Sequence, residues 1–150
     1  MQRITSTKTF AITIAALVLG VAPWARAEKG CSNAALRGAY AYTSTGTILA
    51  APIAALVGPA AEVGAQYFDG QGNVTFNFNA SQNGNTGPGT ATGTYTVNPD
   101  CTGTFTEATP DFTSHFNFVL DGSGAGFQAI CQDAGVVDTR SGRRQFIDRP

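Results

Sequence analysis

The sequence predicts an all-β protein, a small antiparallel β-barrel of about eight strands that follows an N-terminal signal peptide. Seventeen glycines and fifteen threonines fall after residue 27, and this composition suits strands joined by tight turns rather than helices. Apolar and polar residues alternate in several short segments, which is the period of a half-buried strand. Turn residues separate these segments at regular short spacing, as in a sandwich or a barrel.

The first 27 residues predict a secretory signal peptide. Arg3 and Lys8 form a short basic start, a 13-residue apolar run covers 10–22, and Ala25 and Ala27 place small residues where a signal peptidase cuts. The apolar run is too short to span a bilayer, which takes about 20 residues. We therefore expect a secreted or periplasmic chain that is not inserted in a membrane after processing.

The remaining chain, 28–150, is expected to be a single β-barrel domain with its core in 31–144. Loss of the signal removes three basic residues and leaves six basic residues against ten acidic ones. The one basic grouping, Arg140, Arg143 and Arg144, is offset by nearby acids, which predicts a mixed surface. A mildly acidic chain of this kind does not favour nucleic acid or an anionic membrane as a partner.

The first half of the domain predicts three strands and one unusual loop. Alternation places strands over 36–42, 63–68 and 73–80, the last two joined in a hairpin by a glycine-rich turn. Segment 48–61 is apolar but contains two prolines, and it is predicted to be a long loop. It is either a fixed flap over the end of the core or a mobile lid with a ligand-contact role, whose contact residues would be Ile48, Leu49, Ile53, Leu56 and Val57.

The second half predicts five further strands. A polar surface loop is expected over 81–89, and strands are expected over 90–97, 103–107, 112–120, 126–132 and 136–143. Aromatic residues that alternate onto one face in both halves form the predicted interior, which comprises Tyr40, Tyr42, Phe76, Phe78, Tyr95, Phe105, Phe116, Phe118 and Phe127.

Three cysteines follow the signal, and in an oxidising compartment at least two of them should be bonded. Cys131 shares a strand face with Phe127 and is expected to be a buried, inert thiol. Cys31 precedes the first strand and Cys101 lies in a turn, so we favour a Cys31–Cys101 disulfide, with Cys31–Cys131 as the alternative. One histidine and no paired Cys-x-x-Cys cannot supply a standard metal site, and we expect no metal and no cofactor.

The sequence shows no clear catalytic constellation. His115 falls on the face opposite Phe116 and is expected to be exposed. Glu62, Glu107 and Asp111 could form a carboxylate pair for glycoside chemistry, but their spacing does not distinguish them from solvated surface acids. No catalytic residue is therefore assigned, and the sequence favours a protein that is not an enzyme.

Three motifs resemble those of a family of small secreted bacterial proteins of uncharacterised function. They are Cys31-Ser32-x-x-x-Leu36-x-Gly38-x-Tyr40, Phe68-Asp69-Gly70-x-Gly72-Asn73 and Gly93-x-Tyr95-x-Val97-Asn98-x-Asp100-Cys101-x-Gly103. The resemblance covers roughly 31–144. It implies the Cys31–Cys101 pair, because both cysteines lie inside its motifs and Cys131 does not, and it implies no catalytic residue.

A more distant resemblance is to lipocalin-type barrels. These barrels carry Gly-x-Trp on the first strand and an arginine on the last strand that packs over the aromatic ring. Here Gly38-Ala39-Tyr40 and either Arg140 or Arg143 would take those places, with tyrosine instead of tryptophan. This resemblance implies a barrel that binds a small ligand.

Two functions follow from these observations. The first is an exported barrel that binds a small apolar or amphipathic ligand at one open end, under 48–61. The second is a structural or protein-interaction module of the cell envelope, with a filled barrel and no ligand. Nine inward aromatics favour filling, while an eight-stranded barrel is wide enough to hold one small ligand.

Overall fold

A computed structural model describes residues 30–50 and 56–145 of the chain. Within these residues, eight antiparallel strands form a closed barrel in which each strand pairs with its sequence neighbours and the first pairs with the last. This confirms the predicted barrel. The predicted signal peptide, 1–27, lies outside the described residues, and no helix in 30–50 or 56–145 is long and apolar enough to cross a membrane.

Six of the eight strands are longer than the alternation alone predicts, and the sixth and seventh are each one residue shorter. A single 3-10 turn, Asn33–Ala35, precedes them, and the strands are β1 Arg37–Ile48, β2 Gly58–Asp69, β3 Asn73–Gln82, β4 Asn85–Val97, β5 Thr102–Ala108, β6 Thr113–Leu120, β7 Gly126–Cys131 and β8 Val136–Arg144.

Alternate side chains of every strand point inward and fill the barrel with aromatic rings. Eight of the nine predicted interior aromatics are buried, and Phe78, in the middle of β3, is half-buried. Phe68 is a further buried ring that the prediction omitted. It meets Tyr40, Tyr95 and Phe127 edge-on, with ring centres 5.0 to 6.1 Å apart. Such edge-on contacts add to the free energy of burial.

The polar surface loop predicted over 81–89 is wrong. β3 continues to Gln82 and β4 begins at Asn85, so only Asn83 and Gly84 connect them. Both residues have positive φ, 46° and 84°, and positive φ at both central positions of a two-residue turn matches the twist of paired strands. Gly89 lies within β4, where a Cβ atom would collide with the Phe78 ring.

The long loop predicted over 48–61 is also shorter in the structure. Residues 58–61 belong to β2, and Pro59 and Ala61 lie opposite Thr47 and Thr45 of β1. Pro59 lacks an N–H group, but its carbonyl accepts a hydrogen bond from the backbone N–H of Asn83 at 2.8 Å. Only 49–57 therefore connects β1 to β2, and 51–55 of this connection lies outside the described residues.

The end of the barrel where β1 begins is closed by the segment before it. A disulfide joins Cys31 to Cys101 with the two Cα atoms 4.9 Å apart, and Leu36 covers the aromatic core from this end, with 1% of its surface exposed. The predicted pairing is confirmed, and Cys131 is a free, buried thiol as predicted. The disulfide indicates an oxidising environment.

Arg144 and Tyr40 join the last strand to the first at the closed end. The Tyr40 hydroxyl donates to the carbonyl of Gly124 at 2.5 Å and accepts from Arg144 Nη2 at 2.7 Å. The guanidinium carbon of Arg144 lies 5.3 Å from the centre of the Tyr40 ring. The arginine over this first-strand aromatic is therefore Arg144, and the assignment of Arg140 or Arg143 to that place is wrong.

Candidate functional site

The opposite end of the barrel, where β1 ends and β2 begins, holds a cavity of about 370 Å³. This volume falls within the range of small-molecule sites. Its wall is largely apolar and includes Ile48, Leu56, Phe78, Phe112 and Val136. The packed aromatic core lies below it, so the cavity does not continue through the barrel.

Arg140 of β8 forms the floor of this cavity. It points inward because it shares the inward face of β8 with Asp138 and Gly142, and only 3% of its surface is exposed. Its guanidinium carbon lies 4.4 Å from the centre of the Tyr42 ring and 4.7 Å from that of the Phe116 ring. The guanidinium group is thus held between two aromatic rings, an arrangement that cation–π attraction favours.

Two carboxylates pair with this guanidinium group. Arg140 Nη2 lies 2.7 Å from Glu107 Oε2 of β5 and 3.4 Å from Glu62 Oε1 of β2. The hydroxyl of Tyr42 donates to the same Oε1 atom of Glu62. Breaking a buried ion pair from one side leaves an unpaired charge and is costly, so these strands are held in one arrangement around the floor.

A third carboxylate stands beside this pair. Asp138 lies two residues before Arg140 on β8, on the same inward face and nearer the open end. Its carboxylate accepts hydrogen bonds from Ser44 Oγ at 2.6 and 2.8 Å. Both side chains line the cavity. The floor therefore carries two carboxylates, from Glu62 and Glu107, that pair with the guanidinium group, and a third, from Asp138, whose charge acts on Glu62.

The surroundings of Glu62 and Arg140 shift the pKa values of both groups. Burial, together with the charge of Glu107, raises the pKa of Glu62 to about 7, against the opposing effects of Arg140 and the Tyr42 hydroxyl. Burial lowers the pKa of Arg140, but the charges of Glu107 and Glu62 more than offset this, so its pKa is raised. At neutral pH Arg140 is therefore charged, whereas Glu62 is divided between its neutral and ionised forms.

Two of the three guanidinium nitrogen atoms of Arg140 donate no hydrogen bond to the described residues. Among the described residues, Arg140 Nε and Nη1 have no hydrogen-bond partner, although both atoms are buried. A buried donor left unpaired costs about 1 to 3 kcal/mol. The amide of Gln66, deeper in the barrel, is also buried without a partner among these residues, a position that a buried water molecule commonly satisfies.

Cys131 borders the cavity on the side of β7. Burial raises the pKa of its thiol, and its Sγ atom lies 3.5 Å from Asp133 Oδ2. Asp133 also accepts a hydrogen bond from the backbone N–H of His115 at 2.8 Å. A second hydrogen bond, also of 2.8 Å, joins the Asp133 carboxylate to the His115 Nδ1 atom. His115 itself lies on the outer face with an exposed side chain, as predicted. A thiol with a raised pKa remains protonated at neutral pH and is unreactive.

The residues predicted as a ligand-contact loop have different positions. Ile48 and Leu56 line the cavity. Leu49 and Val57 are 63% and 38% exposed, and Ile53 lies outside the described residues. Contact of this loop with a ligand remains a prediction.

The three acids considered for carboxylate chemistry are not equivalent surface groups. Glu107 is buried and Glu62 is half-buried at the floor, whereas Asp111 is exposed at the cavity rim. The reading of all three as solvated surface acids is wrong for the first two. Strand parity was a usable signal, because Phe105 points inward and Glu107, two residues later, must share its face.

The ion-pair partner of these acids was also missed. The sequence placed Arg140 in a mixed surface, whereas the structure places it inside the barrel.

No group of three or more His, Cys, Asp or Glu side chains in 30–50 and 56–145 is arranged to hold a metal ion.

Comparisons of the chain with protein-family models, with curated proteins and with solved structures find no match. Function must therefore be inferred from the cavity and its side chains, because a barrel fold by itself does not define one.

Proposed function

We propose that this is an exported protein that binds a small amphipathic molecule in the open end of its β-barrel. The observation that carries the proposal is the cavity of about 370 Å³, with an apolar wall and a few convergent polar groups at its floor. Binding sites for small molecules commonly combine these two features, because the wall supplies burial and the polar groups fix orientation.

The distribution of packing along the barrel supports the same proposal. The half near the disulfide is filled by aromatic rings such as Phe68 and Phe127. The other half carries small inward residues near its rim, among them Ala60 and Ala80, which line the cavity. A protein that used only its outer surface would gain stability by filling this half too, since cavities reduce stability.

Export is part of the proposal. The disulfide between Cys31 and Cys101 and the predicted signal peptide in 1–27 both support a secreted or periplasmic location.

An uncharged apolar fluorophore, N-phenyl-1-naphthylamine, tests the proposal directly. Ala80→Trp places a large side chain in the cavity, whereas Asn79→Trp places the same side chain on the outer face one residue away. We expect the protein and Asn79→Trp to enhance the probe's emission, and Ala80→Trp to bind it at least tenfold more weakly. Equal binding by both variants would place the probe elsewhere and contradict the proposal.

Native mass spectrometry of protein purified from its own export compartment provides the second measurement. A co-purifying small molecule that is lost in Ala80→Trp supports the proposed function. A ligand-free mass, together with no uptake of the fluorophore, contradicts it and leaves the structural or interaction module of the cell envelope.

A further inference from the structure

The charged side chains that line the cavity are strongly unbalanced. Among the described residues, five acids and one base line it. The acids are Glu62, Glu107, Asp111, Asp133 and Asp138, and the base is Arg140. Walls of low polarity concentrate the field of such charges inside a cleft, so the cavity attracts a positive charge and repels a negative one.

Arg140 does not cancel this field at the position a ligand would occupy. Its side chain is only 2% exposed, and its charge is offset first by Glu107 at 2.7 Å. Glu62 is further from the guanidinium group, at 3.4 Å, and is 18% exposed. Glu62 and half-buried Asp138 therefore face the cavity with charge that Arg140 does not neutralise.

The unpaired donors of Arg140 do not contribute to holding a molecule in the cavity. Nε and Nη1 are buried at the cavity floor without a partner among the described residues. Both atoms are buried away from accessible surface, and an ammonium group has no lone pair that could accept from them, so the carboxylates rather than Arg140 would hold a cation.

The apolar wall fits the remainder of such a molecule. Ile48, Leu56 and Phe112 line the cavity towards its entrance, and an aromatic ring such as that of Phe112 attracts both apolar groups and cations.

We infer that the ligand is a protonated organic amine with an apolar body, and that Glu62 and Asp138 hold its ammonium group. This inference rests on the proposed binding function and narrows it to one charge class. The ammonium group lies at the floor between β2 and β8, and the apolar body lies against Ile48, Leu56 and Phe112 towards the entrance.

Affinity for such an amine depends on pH through Glu62. The groups that face Glu62 are Tyr42 from β1, Glu107 from β5, and Asp138 and Arg140 from β8, while β3 places Ala80 opposite it. Ionisation of Glu62 near pH 7 adds a negative charge beside the ammonium group. Binding of the cation should therefore strengthen by about tenfold between pH 6 and pH 8, since each unit of pH below the pKa costs a factor of ten.

Three small molecules that share a phenylbutyl body but differ in charge test whether the cavity prefers a cation. These are 4-phenylbutylamine, 4-phenyl-1-butanol and 4-phenylbutyrate, measured by calorimetric titration at pH 8. We expect the amine to bind at least tenfold more tightly than the alcohol, and the carboxylate to bind most weakly. The double variant Glu62→Gln/Asp138→Asn should lose at least tenfold in amine affinity while its alcohol affinity stays within about threefold, which also shows that it folds.

Asp100→Asn is the matched control, because it removes the same kind of charge from an exposed turn at the closed end and should change none of the affinities. Alcohol binding equal to amine binding, or tightest binding of the carboxylate, would overturn the inference while leaving the proposed binding function intact. Failure of all three probes to bind would overturn both.

Discussion

Arg140 and Tyr42 are stacked inside the barrel, with the guanidinium carbon 4.4 Å from the ring centre. The same guanidinium group pairs with Glu107 and Glu62, and the Tyr42 hydroxyl donates to Glu62. Four strands, β1, β2, β5 and β8, thus meet at one polar layer between the aromatic core and the cavity. This layer defines the floor of the candidate site and contributes to holding the barrel closed.

The first prediction concerns removal of Arg140. Arg140→Met leaves Glu107 buried without a counter-charge, and we expect the free energy of unfolding to fall by about 3 to 5 kcal/mol. Urea denaturation at pH 8 measures it. Arg143→Met changes an exposed residue of the same strand and should have an effect within about 0.5 kcal/mol. Equal effects of the two variants would contradict the placement of Arg140 in the interior.

The second prediction concerns the pH dependence of stability. The folded pKa of Glu62, about 7, is raised above that of an unfolded glutamate, about 4.3. The folded state therefore binds this proton more tightly, and its contribution to stability is lost as the pH rises from about 4.3 to 7, by up to about 4 kcal/mol.

Urea denaturation of the protein and of Glu62→Gln at pH 5 and pH 8 measures this contribution. The loss of stability between the two pH values should be smaller in Glu62→Gln, which has no proton to release at this position. An identical loss in both proteins would show that the carboxyl group of Glu62 titrates normally.

The third prediction concerns the disulfide. Replacing both Cys31 and Cys101 by serine opens a loop with a sequence separation of 70 residues, and in the chain-entropy model this lowers stability by about 4 kcal/mol. Denaturant titrations of the oxidised protein and of the double variant measure this difference in the free energy of unfolding. Cys131→Ala, which removes a thiol that forms no disulfide, should cost much less, and a larger cost for Cys131→Ala would contradict the assignment.

The fourth prediction concerns the two-residue turn between β3 and β4. Gly84 has a φ of 84° with open space around its Cα atom, so Gly84→Ala introduces backbone strain alone, worth about 1 to 2 kcal/mol. Gly122 also has open space around it but does not have a positive φ, so Gly122→Ala is the control and should be close to neutral. The difference in thermal midpoint between the two variants reports the strain, and no difference would contradict the turn assignment.

Much of the fold could be predicted because it depends on local patterns. The alternation in 73–80 and 112–120 gave the correct inward face, since every second side chain of a strand shares a face. The loop predicted over 81–89 was wrong because several glycines and a proline were counted as loop signals, while Asn83-Gly84 is a specific two-residue turn signal. The glycines of β4 serve packing instead, as Gly89 does beneath the Phe78 ring.

The candidate site could not be predicted in the same way. Glu62, Glu107 and Arg140 belong to three strands that are not neighbours in the sheet, and they meet only because closure of the barrel brings the inward faces of these strands together. Strand parity predicts that an inward residue exists on each strand. The level at which it lies depends on the register between strands, and a shift of two residues changes that register while keeping the same face inward.

The central claim is that the open end of the barrel binds a small molecule, and a heteronuclear NMR titration with 4-phenyl-1-butanol tests it most directly. The alcohol carries no charge, so the result does not depend on the charge class of the natural ligand. We predict saturable shifts of the methyl signals of Leu56, Ala60 and Ala80, which line the cavity, and unchanged signals from Leu36 at the closed end. Shifts confined to the outer face, for example at Val63 and Val119, or no saturable shift at all, would contradict the claim.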